Sequence, residues 1–168
     1  MILGMSVPAF TLLHVIISLI GLASGVVVLI GMWNARALPS WTALFLTTTI
    51  LTSATGFLFH SAQFGPPHVV GVISLVVLAI ALLALYGKQL SGAWRPIYVV
   101  MAVLALYLNA FVAVVQAFEK LSLLHPLAPT GTEPPFLIAQ GVLLPLFVLF
   151  GVLAVRQFHP GLGARMLH

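Results

Sequence analysis

Four of the six histidines, His14, His60, His68 and His125, fall toward one end of the apolar runs of this chain. The two carboxylates, Glu119 and Glu133, and the amides Gln63, Gln116 and Gln140 lie at the same end, and Asn109 sits in an apolar run a few turns below it. Imidazoles carried by separate helices can do two kinds of chemistry. His14 and His68, at similar depth, could be the axial ligands of a b-type haem, with Asn109, Gln116 and Gln140 as hydrogen-bonding partners of that cofactor or of a quinone. Alternatively His14, His60, His68 and His125, joined by Glu133, could bind copper or zinc, since imidazole with carboxylate suits either metal. The absence of cysteine removes disulfides, thiolate metal sites, iron–sulfur clusters and covalently attached c-type haem. The histidine spacings match no metal-binding motif, and there is no His-Glu-x-x-His, no Gly-x-Ser-x-Gly and no aspartate for hydrolytic chemistry.

The elements that must hold these groups are membrane spans. With 62% hydrophobic residues, 5% charged residues and a mean hydropathy of +1.23, the 168-residue chain has too little polar surface to coat a water-soluble domain. A hydrocarbon core about 30 Å thick needs roughly 20 apolar residues as helix, because only helices and closed barrels satisfy their backbone in lipid. Five runs qualify, at about 10–32, 41–60, 67–87, 96–118 and 135–157, and none shows the alternation of a barrel strand. Ser40, Pro66-Pro67, Pro96 and Pro134-Pro135 punctuate the later starts, proline fitting a first turn that needs no N–H. The first run lacks a basic leader region and exceeds a signal-peptide core, so it reads as a retained span. The expected fold is all-α, a single five-helix transmembrane bundle over 1–168 with an outer loop at 119–134.

Orientation comes from the short loops. Arg36, Lys88, Arg95, Arg156 and Arg165 fall on one side of this five-span frame and only Lys120 on the other, so the first side should be cytoplasmic. Trp33, Trp41, Trp94, Tyr86 and Tyr98 lie at the same level, as an interfacial aromatic belt would. The N-terminus is then outside, the C-terminus inside, and the histidines outside except His159 and His168. The six basic residues are scattered over short loops, which gives nucleic acid no binding face.

Helical phase directs the polar groups inward. His14, Ser18, Gly21 and Gly25 form one stripe of the first span; Thr49, Ser53, Gly56 and His60 form one in the second. His68 and Gly71 open the third, and Ala102, Ala105, Asn109, Ala113 and Gln116 share a face of the fourth. Small residues mark close helix contacts in lipid, so the expectation is an inward polar stripe with Gln140 added by a fifth helix packed alongside. Each feature also has a structural reading: glycines as helix contacts, threonines bonded to their own helix carbonyls, Asn109 as an interhelical bridge. The single outer histidines can simply sit at an interface.

At Thr52-Ser53-Ala54-Thr55-Gly56-Phe57, Ala105-Leu106-Tyr107-Leu108-Asn109-Ala110-Phe111 and the stretch from Ala128 to Phe136, the chain resembles a group of small, uncharacterised bacterial inner-membrane proteins. The resemblance covers most of the sequence and brings no activity, cofactor or catalytic residue. It implies a bacterial inner membrane, with the outer compartment the periplasm. The expected role is a small accessory or subunit protein of a larger membrane complex or homo-oligomer, with a polar, histidine-bearing pocket on its outer side. Its docking element would be the proline-stiffened 119–134 loop with Leu121, Leu123, Leu124 and Leu127. The alternatives are a b-haem or quinone-site redox protein and a copper or zinc binder.

Overall fold

The computed structural model describes residue 2, residues 4–59 and residues 65–160, and its regular elements are all helical. Helix α1 is Val7–Trp33, α2 Pro39–Gly56, α3 Pro66–Leu82 with a π-helical turn Leu83–Gly87, α4 Trp94–Lys120 and α5 Pro134–Gln157. The starts follow local chemistry. Ser6 caps α1 by accepting from the Ala9 N–H at 3.4 Å, and proline stands in the first turn of α1, α2, α3 and α5. In α4, Pro96 lies inside the first turn and Ala93 takes the capping position. Within α5, Pro145 is accommodated without ending the helix.

Four of these helices, Val7–Trp33, Pro66–Gly87, Trp94–Lys120 and Pro134–Gln157, are long and apolar enough to cross a membrane. The second expected span is not among them. Thr42, Thr47, Thr48, Thr49, Thr52 and Thr55 dilute the hydropathy of α2, and the helix ends at Gly56 rather than at 60. Its threonines are nevertheless adapted to an apolar setting: Thr48, Thr52 and Thr55 return their hydroxyl protons to helix carbonyls at 2.6–2.9 Å.

Consecutive helices run antiparallel. Phe118 near the end of α4 meets Phe136 at the start of α5, while Tyr98 at the start of α4 meets Phe158 just past the end of α5. The most extensive pairing is α1 with α2, made possible by Gly25: a Cβ there would stand 2.5 Å from Leu106 Cδ1 and 2.9 Å from the Phe45 ring. Around this closest approach lie Val28, Met32, Leu46, Leu78, Val99, Ala102 and Ala105. Helix α5 packs against α4 and α1 and buries only Ala154. Trp33 at the end of α1 reaches it by donating its indole N–H to the Phe150 carbonyl at 3.2 Å.

The end of the bundle where α1 finishes and α2 starts is built from irregular backbone. Helix α1 closes in a Schellman motif, with the Arg36 N–H bonded to the Gly31 carbonyl at 2.9 Å and the Ala35 N–H to Met32 at 3.2 Å. The left-handed position usually given to glycine is held by Ala35, at φ 53°. Across the same end, α3 widens into its π turn, the Lys88 N–H reaching back to Leu83 at 2.8 Å. Gln89 and Leu90 follow with φ of 49° and 57°.

Candidate functional site

At the His14 end, the histidines are divided rather than gathered. His14 Nδ1 lies 2.7 Å from Thr55 Oγ1, and that hydroxyl already gives its proton to the Leu51 carbonyl at 2.6 Å. The imidazole must therefore be the donor in this pair, which puts its proton on Nδ1 and leaves a lone pair on Nε2. Phe59 packs edge-on against the ring and Gly56 gives it room.

His68 has the opposite tautomer. In the first turn of α3 its Nδ1 accepts the Gly65 N–H at 3.2 Å, half of a capping box, so the ring proton belongs on Nε2. Its neighbour is Phe57, at a ring separation of 5.8 Å. An axial His14–His68 haem pair is thus not supported, because neither nitrogen of His68 offers a lone pair to iron. His125 stands in an exposed single turn of 3-10 helix, His125–Leu127, and His60 and Gln63 lie outside the described residues. Among the described residues no three His, Asp or Glu side chains come close enough to hold a metal ion.

The amides separate as well. Asn109 is buried and bridges α4 to α1, accepting from the Ser18 hydroxyl at 3.2 Å and facing the Ser18 carbonyl at 3.5 Å. Gln140 donates from α5 to the Phe111 carbonyl at 3.2 Å, its Oε1 buried and without a hydrogen-bond partner among the described residues. Gln116, expected on the inward face of α4, is exposed and bonded to Glu119 on its own helix at 3.0 Å. It lies where α4 has run past the groups that cover Asn109, and a carboxylate one turn on supplies its partner. Gly21 lies at the centre of the inward stripe. A Cβ there would meet Asn109 Nδ2, Thr49 Oγ1 and Thr48 Oγ1 at 3.1–3.3 Å. Thr49, 1% exposed, has no hydrogen-bond partner among the described residues. Ser53 on α2 and Ser74 on α3 close a further bridge at 2.9 Å.

The loop between α4 and α5 is ordered by Glu133. Its carboxylate accepts the Thr130 hydroxyl and N–H at 2.8 and 3.1 Å and the Thr132 N–H at 3.0 Å. Desolvation would raise this carboxyl group, but the hydrogen bonds from Thr130, Thr132 and its own backbone outweigh it and hold it below the ordinary value.

A cavity of about 110 Å³ lies at the opposite end, where the sequence pointed to no site. Arg36, Thr42, Tyr86 and Tyr98 contribute polar groups to it, and Val28, Met32, Leu38, Leu85, Leu90 and Phe158 form much of the apolar wall. It occupies the space between the Schellman turn after α1, the first turn of α2 and the π turn after α3. Tyr98 and Thr42 are buried and adjacent, while Arg36 is exposed at the rim. Of the other cations at this end, Arg95 donates to the Val155 and Phe158 carbonyls at 3.1 and 2.6 Å, closing the C-terminus of α5, and Lys88 stands 5.6 Å over the Trp94 ring. Left-handed non-glycine residues and π turns recur at functional sites, which was the missed signal, but neither is written in residue type here.

No protein-family profile, curated protein or solved structure matches the chain.

Proposed function

We propose that the chain is a small integral membrane subunit that acts within a larger assembly. In this reading α2 joins the four apolar helices as a fifth span, the N-terminus and the His14 end face outward, and the Arg36 end faces the cytoplasm. The membrane is a bacterial inner membrane, as the resemblance implies, and the outer rim carries the polar, His14-bearing face. The basic loops at the Arg36 end support the orientation.

The observation that carries the subunit role is the outer loop. Glu133 ties its Thr130–Thr132 turn, the 3-10 turn stiffens it, and Leu121, Leu123 and Leu127 are held outward, Leu123 at 81% exposure. An ordered loop that displays leucines at a bundle end fits a docking element. The polar groups inside the bundle meanwhile join its own helices, His14 to Thr55, Ser18 to Asn109 and Ser53 to Ser74. The partner is another integral membrane protein that covers these leucines. Extraction in a mild detergent should bring the chain out with a larger complex, and changing Leu121, Leu123 and Leu127 together to Ser should release it. A chain that always elutes alone overturns the reading.

A second reading, a quinol-handling redox protein, is favoured by the lone pair of His14 Nε2, which no hydrogen bond engages among the described residues and which can accept a quinol hydroxyl proton. It predicts that a soluble ubiquinol analogue raises the melting temperature of the native protein but not that of His14→Ala. Equal behaviour of the two proteins removes it.

A further inference from the structure

We propose that the cavity at the Arg36 end is a binding site for the headgroup of an anionic phospholipid, with the phosphate at Arg36 and the Thr42 and Tyr98 hydroxyls deeper in the pocket. Charge supports the proposal. The sequence has only two side-chain carboxylates, Glu119 and Glu133, and the first accepts from Gln116 while the second is enclosed by Thr130 and Thr132 in the outer loop. Both belong to the opposite end, so neither neutralises Arg36. Arg95 is committed to the last carbonyls of α5 and Lys88 to Trp94, Arg156 stands in the last turn of α5 outside the lining, and Arg36 is the cation that lines the cavity among the described residues. A guanidinium suits phosphate because its donors form a fixed fork.

Size and lining select the headgroup. An apolar cavity of roughly 150 Å³ accommodates benzene, so a space of about 110 Å³ has the scale of a phosphate with a few carbons and is far too small for a haem. Val28, Met32, Leu85 and Phe158 would be poor neighbours for a fully hydrated free anion but fit the glycerol carbons of a lipid. Trp33, Trp41 and Trp94 share this level of the bundle, the depth at which headgroups lie if the chain spans a membrane. Basic pockets between spanning helices on the cytoplasmic side are the kind of site that holds anionic headgroups. A choline headgroup would add a bulky cation beside Arg36.

The inference rests on the membrane arrangement proposed above and is independent of membership in a complex, so it is tested on the isolated, delipidated protein in a nonionic detergent. Dioleoylphosphatidylglycerol and dioleoylphosphatidylcholine, matched in chain length, are titrated in and bound lipid is counted by native mass spectrometry. The glycerol lipid should bind about fivefold more tightly, the scale of one basic residue's attraction near a membrane surface. Arg36→Ala should erase that preference, whereas Lys120→Ala, which removes a cation from the other end, should keep it. Ala37→Trp, a change at an exposed lining residue, should obstruct the mouth and lower binding of the glycerol lipid while the protein stays folded. Equal binding of the two lipids, or equal losses in the Arg36 and Lys120 variants, overturns the proposal. Displacement of the glycerol lipid by millimolar inorganic phosphate also overturns it, by making the ligand a free anion. A failure here alongside intact co-purification would leave the subunit reading standing, and the reverse outcome would leave the lipid site standing.

Discussion

The two ends of this bundle differ in how regular the backbone is that positions their polar residues. At the His14 end, regular helices bring side chains together in pairs, and each pair links two helices: His14 with Thr55, Ser18 with Asn109, Ser53 with Ser74. At the Arg36 end the backbone itself is irregular, and a left-handed Ala35, a π turn and left-handed Gln89 and Leu90 frame a cavity that has the paired Tyr98 and Thr42 hydroxyls of α4 and α2 inside and Arg36 exposed at its rim. Between them, Gly25 admits Phe45 and Leu106 and closes the interior with apolar contact. In lipid, hydrophobic burial gives little preference for one helix packing over another, so the paired hydroxyls and amides fix packing. The irregular end is where shape is left over for a ligand.

The sharpest way to break this division is to force the two ends apart at the seam. Gly25→Val adds a branched side chain where even a Cβ stands 2.5 Å from Leu106 and 2.9 Å from the Phe45 ring. Overpacking of this kind costs about 3 kcal/mol at the upper end of its usual range. The variant should therefore show a strongly lowered melting temperature in detergent, with the α1–α2 pairing lost from crosslinking between the helices. Wild-type melting would mean that α1 and α2 do not meet at Gly25, and the seam would vanish with it.

A smaller effect is expected at Arg95, which tests whether the irregular end is held from within. Its guanidinium takes the Phe158 carbonyl at 2.6 Å and the Val155 carbonyl at 3.1 Å, groups that would otherwise end α5 without donors. Arg95→Ala should cost about 2 kcal/mol, the scale of hydrogen bonds to a charged group. Hydrogen exchange should quicken over the last turns of α5, while protection of α2 around Thr48 and Thr49 stays unchanged. Equal loosening of both regions would show that the ends are not independent.

How much of this could be read from sequence follows the same division. The starts of α3 and α5 were legible because paired prolines fix first turns, whereas Ser40, expected ahead of the second span, lies inside α2, which Leu38 precedes without a side-chain cap. The inward direction of Ser18, Gly21, Gly25 and Asn109 was legible because a 3.6-residue period leaves one stripe for small and polar groups. The convergence of the histidines on a cofactor was not, since helical phase locates a side chain but not the local acceptor it will choose. His68 turned back to its own helix start at Gly65, and Gln116 to Glu119, contacts made within one turn that compete with any partner across the bundle. The cavity was invisible for a different reason. Glycine or asparagine usually marks a left-handed residue, and here Ala35, Gln89 and Leu90 hold those positions without that mark.

Ala35 turns that silence into a test. An L-residue in the left-handed region costs roughly 1–2 kcal/mol, and glycine removes that cost while adding roughly 0.5–1 kcal/mol of unfolded-state freedom. Ala35→Gly should thus raise stability by a few tenths of a kcal/mol up to about 1 kcal/mol, seen as a slightly higher melting temperature. A fall in stability would mean that the turn before Arg36 is not the Schellman motif described, and the rim of the cavity would have to be redrawn.

The slightest expected change belongs to the loop between α4 and α5, and its sign is set by Glu133. Its folded-state carboxyl is held below the ordinary value of 4.5 by donors from Thr130, Thr132 and its own backbone, against a desolvation that acts the other way. A group depressed in the folded state contributes stability above its unfolded value and loses it as the pH falls through the folded one. The loop should accordingly keep its order at pH 5 and above and loosen only below about 4.5, with the Thr130 and Thr132 amide resonances moving together. Glu133→Gln should show the loosened resonances already at neutral pH, because a neutral amide accepts those donors more weakly. If the two resonances instead titrate with a midpoint above 4.5, the carboxylate is not what orders the loop, and the leucines it holds outward lose their claim to be a preformed docking face.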